Sequence, residues 1–513
     1  MKASDRIVFN TGMLYLRMIL TVGVSLYSTR IVLRSLGASD FGIFTIVAGL
    51  IGMLAFLNSA MTLSTQRNLS YKMGRNDNNA IKSIFANSLV LHILIGIVLI
   101  VVFECFGIYL LNSVLKIEPE RIHAAELLFH FVSLTTFLSI ITVPFDALIE
   151  SNEDMLFVAI IGVVESLLRL LIAFYLLYTS SDKLITYGVL LFLIAVVIAI
   201  IKKLYCGHKY TQSRVNLAKF YDTSVILNLA SFAGWYLFGI IAGIFRNEGV
   251  AIVLNIFFGT IVNAAYGIAN QVNGQLAFFS QTMMKTIRPQ MIKSEGNGNR
   301  EQMLNLAIIA SKFSFYLFSI FSIPLFIEME WVLGMWLNDV PVHTIVFCRL
   351  ILVLTLINQL SVGIMSAVVA IGKIKYYQIV AGSIMLLTLP IGFVFLKIGY
   401  PAYSILLVSI FLEILNTIFR IYYFNFLTSY PLLKFMKEVF ISCFVPFTLT
   451  FLTVYFAHSQ MNSSFFRVVV ICATTTIIYF PLIYFIGSKN EEKRRINELF
   501  TNIKFKILSI TNK

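Results

Sequence analysis

Apolar runs of about 20 residues, each long enough to cross roughly 30 Å of hydrocarbon as an α-helix, recur about fourteen times along this chain. They fall near 8–33, 41–64, 84–111, 123–147, 155–178, 184–203, 225–245, 252–284, 303–326, 342–370, 376–397, 401–425, 436–456 and 466–487. No water is available in hydrocarbon to satisfy the backbone, so each run is expected to be a helix. Of 513 residues, 58% are hydrophobic and 12% charged, with a mean hydropathy of +0.87. That composition excludes a soluble globular domain. The expected fold is an all-α polytopic membrane protein with about 14 transmembrane helices.

Lys and Arg near span ends are retained in the cytoplasm. With the N-terminus inside, about 27 of the 39 Lys and Arg fall in inner segments and about 7 outside. Arg67, Lys72 and Arg75 mark one inner loop, Lys202, Lys203, Lys209 and Arg214 another, and Lys285, Arg288 and Lys293 a third; Lys493, Arg494 and Arg495 mark the tail. Both termini are expected in the cytoplasm. The net charge of +14 suits anionic lipid headgroups, and no interleaved basic and aromatic motif points to nucleic acid. The polar start and the long first run read as an uncleaved insertion signal. Cys105, Cys206, Cys348, Cys443 and Cys472 lack metal-ligand spacing and read as small hydrophobes.

The polar letters carry an internal repeat. Arg67-Asn-Leu-Ser-Tyr-Lys72-Met-Gly74 is answered by Arg288-Pro-Gln-Met-Ile-Lys293-Ser-Glu-Gly296, Ala147-Leu-Ile by Ala367-Val-Val, and Phe41-Gly-Ile by Tyr266-Gly-Ile. The offset stays near 220–225, a period that marks a duplicated unit. The expected organisation is a six-helix lobe at 1–215, a second at 216–428, two additional helices at 429–488, and a basic cytoplasmic tail at 489–513. Six spans per copy give both the same orientation, related by an axis along the membrane normal. No Walker loop, H-E-x-x-H or G-x-S-x-G is present, and the outer loops are roughly 5–15 residues, a length that connects rather than folds. A transporter is expected, not an enzyme, with no catalytic residue, metal or cofactor.

Ionised groups inside a span cost roughly 2.5–3.5 kcal/mol on insertion scales, so they face partners or watery cavities. Arg17 lies near the middle of the first span and reads as an anion contact, the forked guanidinium suiting a phosphate or carboxylate. Arg30, nearer the interface, can instead snorkel. Glu165 and Arg169 are four apart on one helix face and are expected to pair, leaving open a coupling-ion role for Glu165. Glu104 and His92 are the other titratable candidates for ion coupling. Lys312 and Arg349 have no acid at helical spacing in their own spans; each reads either as a cavity cation or as one half of an interhelical pair, for example with Glu413. The amide-rich run with Asn263, Asn270, Gln271, Asn273, Gln275 and Gln281 reads either as a lining for sugar hydroxyls or as stitching between helices. Pro144, Pro324, Pro390 and Pro446 are expected to kink their helices.

Leu26-Tyr-Ser-Thr-Arg30-Ile-Val-Leu-Arg-Ser-Leu-Gly37-Ala-Ser-Asp40-Phe-Gly42, Ala60 to Arg67, Phe232-Ala-Gly-Trp235, Asn255-Ile-Phe-Phe-Gly259, Asn263-Ala-Ala-Tyr-Gly267 and Pro289-Gln290 resemble bacterial polysaccharide exporters of the Wzx flippase type. These belong to the multidrug, oligosaccharidyl-lipid and polysaccharide (MOP) exporter superfamily, and the resemblance runs along nearly the whole chain. It implies a flippase that carries an undecaprenyl-pyrophosphate-linked oligosaccharide across the bacterial inner membrane by alternating access. Its partners would be that anionic lipid-linked oligosaccharide, membrane lipids and the polysaccharide assembly machinery. Related lipid II flippases carry a first-span arginine facing a cationic cavity, and Arg17 occupies a similar place. On this reading Arg17, Lys312, Arg349, Arg30, Asn263, Gln271 and Gln275 bind substrate. The rival is an ion-coupled exporter of the multidrug and toxin extrusion branch, typically with twelve spans and a buried first-span acid.

Overall fold

The computed structural model describes residues 3–52, 55–109, 111, 117–337, 339–494 and 497. Among them secondary structure is helical throughout. In chain order the helices are α1 Ala3–Gly52, α2 Ala55–Gly74, α3 Asn78–Tyr109, α4 Ile122–Ser151, α5 Met155–Tyr178, α6 Lys183–Lys209, α7 Leu217–Phe220, α8 Thr223–Gly296 and α9 Arg300–Ile327. There follow α10 Met329–Leu337, α11 Thr344–Gln359, α12 Val362–Ile371, α13 Lys375–Leu386, α14 Thr388–Lys397, α15 Ser404–Thr428, α16 Leu432–Phe435, α17 Ser442–Ser459 and α18 Phe465–Leu482. The basic tail expected at 489–513 lies for the most part outside the described residues.

Among the described residues eleven helices are long and apolar enough to cross a membrane, or twelve when the bent pair α11 and α12 counts as one span. Two of these are interrupted. The 50-residue α1 breaks at Gly37 and the 74-residue α8 at Gly259; α8 holds both expected spans 225–245 and 252–284, whereas the expected span 41–64 is divided between α1 and α2. Both glycines have φ +78°, the left-handed region that a Cβ disfavours and glycine enters freely. They stand 222 residues apart, and Asn76 and Gly298, also at positive φ, repeat the same offset. The duplication inferred from loop letters is therefore written into the backbone. The sequence placed the second of these breaks near 246–251, but α8 continues unbroken to Gly259.

The chain divides into two compact units. One comprises Arg6–Ile240 with Ile292–Asn299; the other comprises Met1–Asp5, Ile241–Met291 and Arg300–Lys513. In the first, α4 packs on α2, α3 and α6. One core cluster joins Ile31, Val47, Leu128, Phe129, Leu176 and Leu184, and another joins Leu69, Phe85, Val143, Leu148 and Cys206. One end of this unit is tied by Arg121, whose guanidinium reaches Asp40 of α1 at 2.6 Å and Asp182 at 2.5 Å. Asp182 also caps α6, accepting from the N–H groups of Leu184 and Ile185.

In the second unit α9 and α15 are the most enclosed helices. α9 packs on α11, α12, α17 and α18, and α15 on α11, α13 and α14. The close fit of α12 on α9 depends on Gly363, where a Cβ would stand 1.9 Å from the Ala307 carbonyl oxygen; its N–H donates instead to Ser311 Oγ at 3.1 Å. The span expected at 342–370 bends by 42° between α11 and α12. Of the expected proline effects, Pro390 coincides with a break, between α13 and α14 at Leu387, as a missing N–H and a clash one turn back require. Pro144, Pro324 and Pro446 lie inside continuous helices.

Candidate functional site

Each unit contains a polar cavity of its own, and the two are built on equivalent positions. The cavity in the first unit, about 580 Å³, is lined by Arg17, Thr21, Ser25, Ser28, Phe41 and Phe44 of α1, Gly162, Glu165, Ser166 and Arg169 of α5, and Tyr187 of α6. The cavity in the second, about 220 Å³, is lined by Arg246, Asn247, Tyr266, Asn270, Asn273 and Gln281 of α8, Asn358 and Gln359 of α11, and Ser409 and Glu413 of α15. Ser25 and Asn247, Ser28 and Val250, Phe44 and Tyr266, and Tyr187 and Ser409 are each 222 residues apart. The two cavities thus share equivalent positions of the 222-residue offset and carry different chemistry.

Arg17 reaches the first cavity because α5 offers it a glycine. A Cβ on Gly162 would lie 2.2 Å from Arg17 Nε, so the bare backbone there is the seat of the guanidinium. Among the described residues Arg17 has no ion-pair partner. Arg169 and Glu165 form the expected pair, Nη2 to Oε1 at 2.8 Å, with Ser166 beside them on the wall. The lining carries two cations and one acid. Such a wall attracts anions, and the hydroxyls of Thr21, Ser25 and Ser28 can donate to phosphate or sugar oxygens.

The cations expected to serve in the second copy lie elsewhere. Lys312 is fully buried in α9 and its Nζ donates to Glu492 Oε2 at 2.6 Å, which places it in a closed ion pair outside both cavities. Arg349 donates to the Phe326 carbonyl oxygen at 3.1 Å and lines a different pocket. Glu413, the partner suggested for those two, instead takes Arg420 at 3.0 Å and Arg246 at 3.5 Å, with Asn358 donating at 2.8 Å. Arg246 is the second-copy cavity cation that sequence reading missed, because it fell in the presumed loop between two spans.

Helical facing sorts the amides. Tyr266, Asn270, Asn273, Ala277 and Gln281 share one stripe of α8 and line the cavity, as spacings of three and four residues require. Asn263, Gln271 and Gln275 stand off that stripe and outside the cavity. Arg30 is exposed and outside the first cavity. Glu104 takes the His130 Nδ1 at 2.6 Å; His92 is buried, its Nδ1 2.6 Å from the Ser88 carbonyl oxygen. Neither Glu104 nor His92 lines either cavity, whereas Glu165 does. Among the described residues no cluster of His, Cys, Asp or Glu could hold a metal ion.

Residues 14–175, which contain the first cavity's α1 and α5 walls, match the MatE family model. No curated protein matches the chain. Solved structures match over most of its length. An outward-facing multidrug resistance MATE family transporter of the MOP superfamily aligns with a TM-score of 0.69 at 14% identity, over 83% of this chain and 96% of that one. The chain has the MATE transporter fold. A MATE protein in complex with MaD3S aligns at TM-score 0.72 and 13% identity, over 83% and 97%. A MOP superfamily transporter from Pyrococcus furiosus, described by a reverse polarity of its binding pocket that suggests a different function, aligns at 0.66 and 14%, over 84% and 98%. The protein is thus a multi-pass membrane protein of the transporter type. About a sixth of this chain lies outside each of these alignments.

Proposed function

We propose that this transporter is a flippase for an anionic, polyprenyl-pyrophosphate-linked oligosaccharide, acting by alternating access in a bacterial inner membrane with both termini in the cytoplasm. The observation that carries the reading is Arg17, seated on the wall of a polar cavity without an ion-pair partner among the described residues. An unneutralised guanidinium in a membrane protein is costly unless water or an anion answers it, and it recognises phosphate oxygens in pairs. Thr21, Ser25, Ser28 and Tyr187 supply hydroxyl contacts for phosphate or sugar. The reversed pocket polarity described for the Pyrococcus furiosus relative supports the idea that this fold accepts cargo of more than one charge.

The test is surface polysaccharide in a strain whose own gene is replaced by Arg17→Ala. Loss of polysaccharide with the variant at normal abundance in the membrane supports the reading; normal polysaccharide refutes it.

A second reading, ion-coupled efflux of organic cations, is favoured by the MatE match over residues 14–175 and by the buried Glu413. Against it, Glu413 is already shared by two arginines. Deletion of the gene followed by a drug-susceptibility panel separates the two: broad sensitisation with intact polysaccharide establishes efflux.

A further inference from the structure

The cavity of the second unit, about 220 Å³, has no part in the Arg17 site. It is smaller than the roughly 300–1,000 Å³ of drug-sized ligand sites, so it suits one compact group and not a chain of them. Its walls come from α8, α11 and α15, all within one unit.

Most polar groups on these walls are already engaged. Glu413 takes Arg420 at 3.0 Å and Arg246 at 3.5 Å, and Asn358 donates to the same carboxylate at 2.8 Å. Asn270 donates to the Tyr266 carbonyl oxygen one turn back, and Ser409 to that of Ile405. Gln359 and Asn273 differ. Gln359 is the last residue of α11, just before the 42° bend into α12, and it is 6% exposed. Its Oε1 accepts no hydrogen bond, and neither does the buried Oδ1 of Asn273 on α8. Two buried acceptors from two helices thus line one cavity without a donor, a condition that protein interiors avoid.

Charge decides which donor fits. A cation meets Arg246 and a carboxylate that two guanidinium groups already share; an anion meets that carboxylate and the two amide oxygens. A neutral donor remains. Hydroxyls donate to an amide oxygen and accept from the N–H of the same amide. A pyranose also brings an apolar C–H side, for which Tyr266, Ile351 and Leu354 supply wall.

We propose that this cavity is a binding site for a single neutral sugar residue, with Gln359 and Asn273 taking its hydroxyls. It belongs to the second copy of the repeat and shares no residue with the Arg17 cavity. Its service to transport, holding one sugar of the cargo, rests on the oligosaccharide reading above; its binding chemistry does not.

The experiment is saturation-transfer NMR on the full-length protein in phosphatidylcholine nanodiscs, with empty discs as the blank. The probes are the methyl glycosides of glucose, galactose and N-acetylglucosamine, with methyl glucosaminide and methyl glucuronide as cationic and anionic counterparts. At least one neutral glycoside is expected to give a saturable signal above the blank, at a half-saturating concentration below that of either charged sugar. Gln359→Met and Asn273→Leu remove one amide each and keep an apolar side chain of similar length. Each should raise the half-saturating concentration about tenfold, and Gln275→Leu, off the cavity stripe, should leave it unchanged. Melting temperature verifies that the variants fold, and the comparison of neutral with charged sugars needs no variant. No saturable signal from any neutral glycoside overturns the proposal. So does a signal that both amide variants retain, or tighter binding of a charged sugar than of every neutral one. Failure here leaves the Arg17 polysaccharide test untouched, and failure of that test leaves this binding measurement standing.

Discussion

Gly74 and Gly296 meet each other's helices reciprocally. A Cβ on Gly74 would lie 2.2 Å from the Lys293 carbonyl oxygen, and a Cβ on Gly296 would lie 2.2 Å from the Tyr71 carbonyl oxygen. Each partner is the other's counterpart across the 222-residue repeat, so this is an isologous contact made within one chain. Gly74 closes α2 and Gly296 closes α8, and the two helix ends touch backbone to backbone.

That contact tolerates no side chain. Gly74→Ala or Gly296→Ala pushes a methyl group into a carbonyl oxygen and forces the helix ends apart. Overpacking of this kind costs about 1–3 kcal/mol. Each variant is expected to lower the unfolding temperature of the detergent-solubilised protein, and the double variant should cost less than the two singles added, since one separation relieves both clashes. Unchanged melting in both single variants would contradict the packing.

The ion pair of Lys312 with Glu492 predicts an asymmetry between single and double substitutions. Glu492→Gln leaves a fully buried ammonium without its counter-charge, and breaking a buried pair from one side costs about 3–5 kcal/mol. Lys312→Met with Glu492→Leu removes both charges and should recover most of that loss. The pair ties α9 to the segment after α18, and Tyr316 reinforces the tie by donating to the Ser442 and Gly487 carbonyl oxygens at 2.9 and 3.2 Å. Melting curves of the two variants beside the parent check this; a double variant no better than the single would mean that the charges serve something other than each other.

Much of the fold was legible in the sequence, because hydrocarbon thickness sets helix length and helix length sets the apolar run. Gly37 and Gly259 were visible only as motif letters; that both break a helix follows from φ, which no single sequence displays. Arg17 was legible because it lies deep in an unambiguous span. Arg246 was not, because Arg246-Asn-Glu248 looks like a loop and α8 runs through it. Lys312 was misleading for another reason. Its partner Glu492 is 180 residues away, and pairing at that distance leaves no periodic trace. The amides of α8 show the same limit on a smaller scale: composition identified the helix, and only its rotation chose Asn270, Asn273 and Gln281 over Asn263, Gln271 and Gln275.

Acid should loosen the end of the first unit held by Arg121. The hydrogen bond from Arg121 holds the Asp182 carboxyl below its usual range, against burial that acts the other way, with the Ile185 and Leu184 N–H groups adding to the lowering. A carboxyl whose folded pKa is depressed stabilises the fold above its unfolded value near 3.9 and loses that contribution as pH falls through the folded value. Unfolding temperature is therefore expected to fall below about pH 4, with Asp182→Asn flattening that part of the curve. Asparagine keeps a capping oxygen for α6, so the difference isolates the charge, worth ~1 kcal/mol or less at this half-open position. A variant whose pH profile parallels the parent would remove Asp182 from the account.

Gly162 offers a way to move Arg17 without mutating it. The guanidinium rests where a side chain on Gly162 would stand, 2.2 Å from Nε, and the atom displaced is the far end of a long flexible chain. Gly162→Val should therefore drive Arg17 off the α5 wall at little cost in stability, since valine is the better helix residue by a few tenths of a kcal/mol. If transport requires the guanidinium at that position, Gly162→Val reduces surface polysaccharide about as far as Arg17→Ala does, with melting temperature and membrane abundance near those of the parent, and Gly162→Ala falls between. Normal polysaccharide in Gly162→Val beside a null Arg17→Ala would show that the arginine acts from somewhere other than its seat on α5.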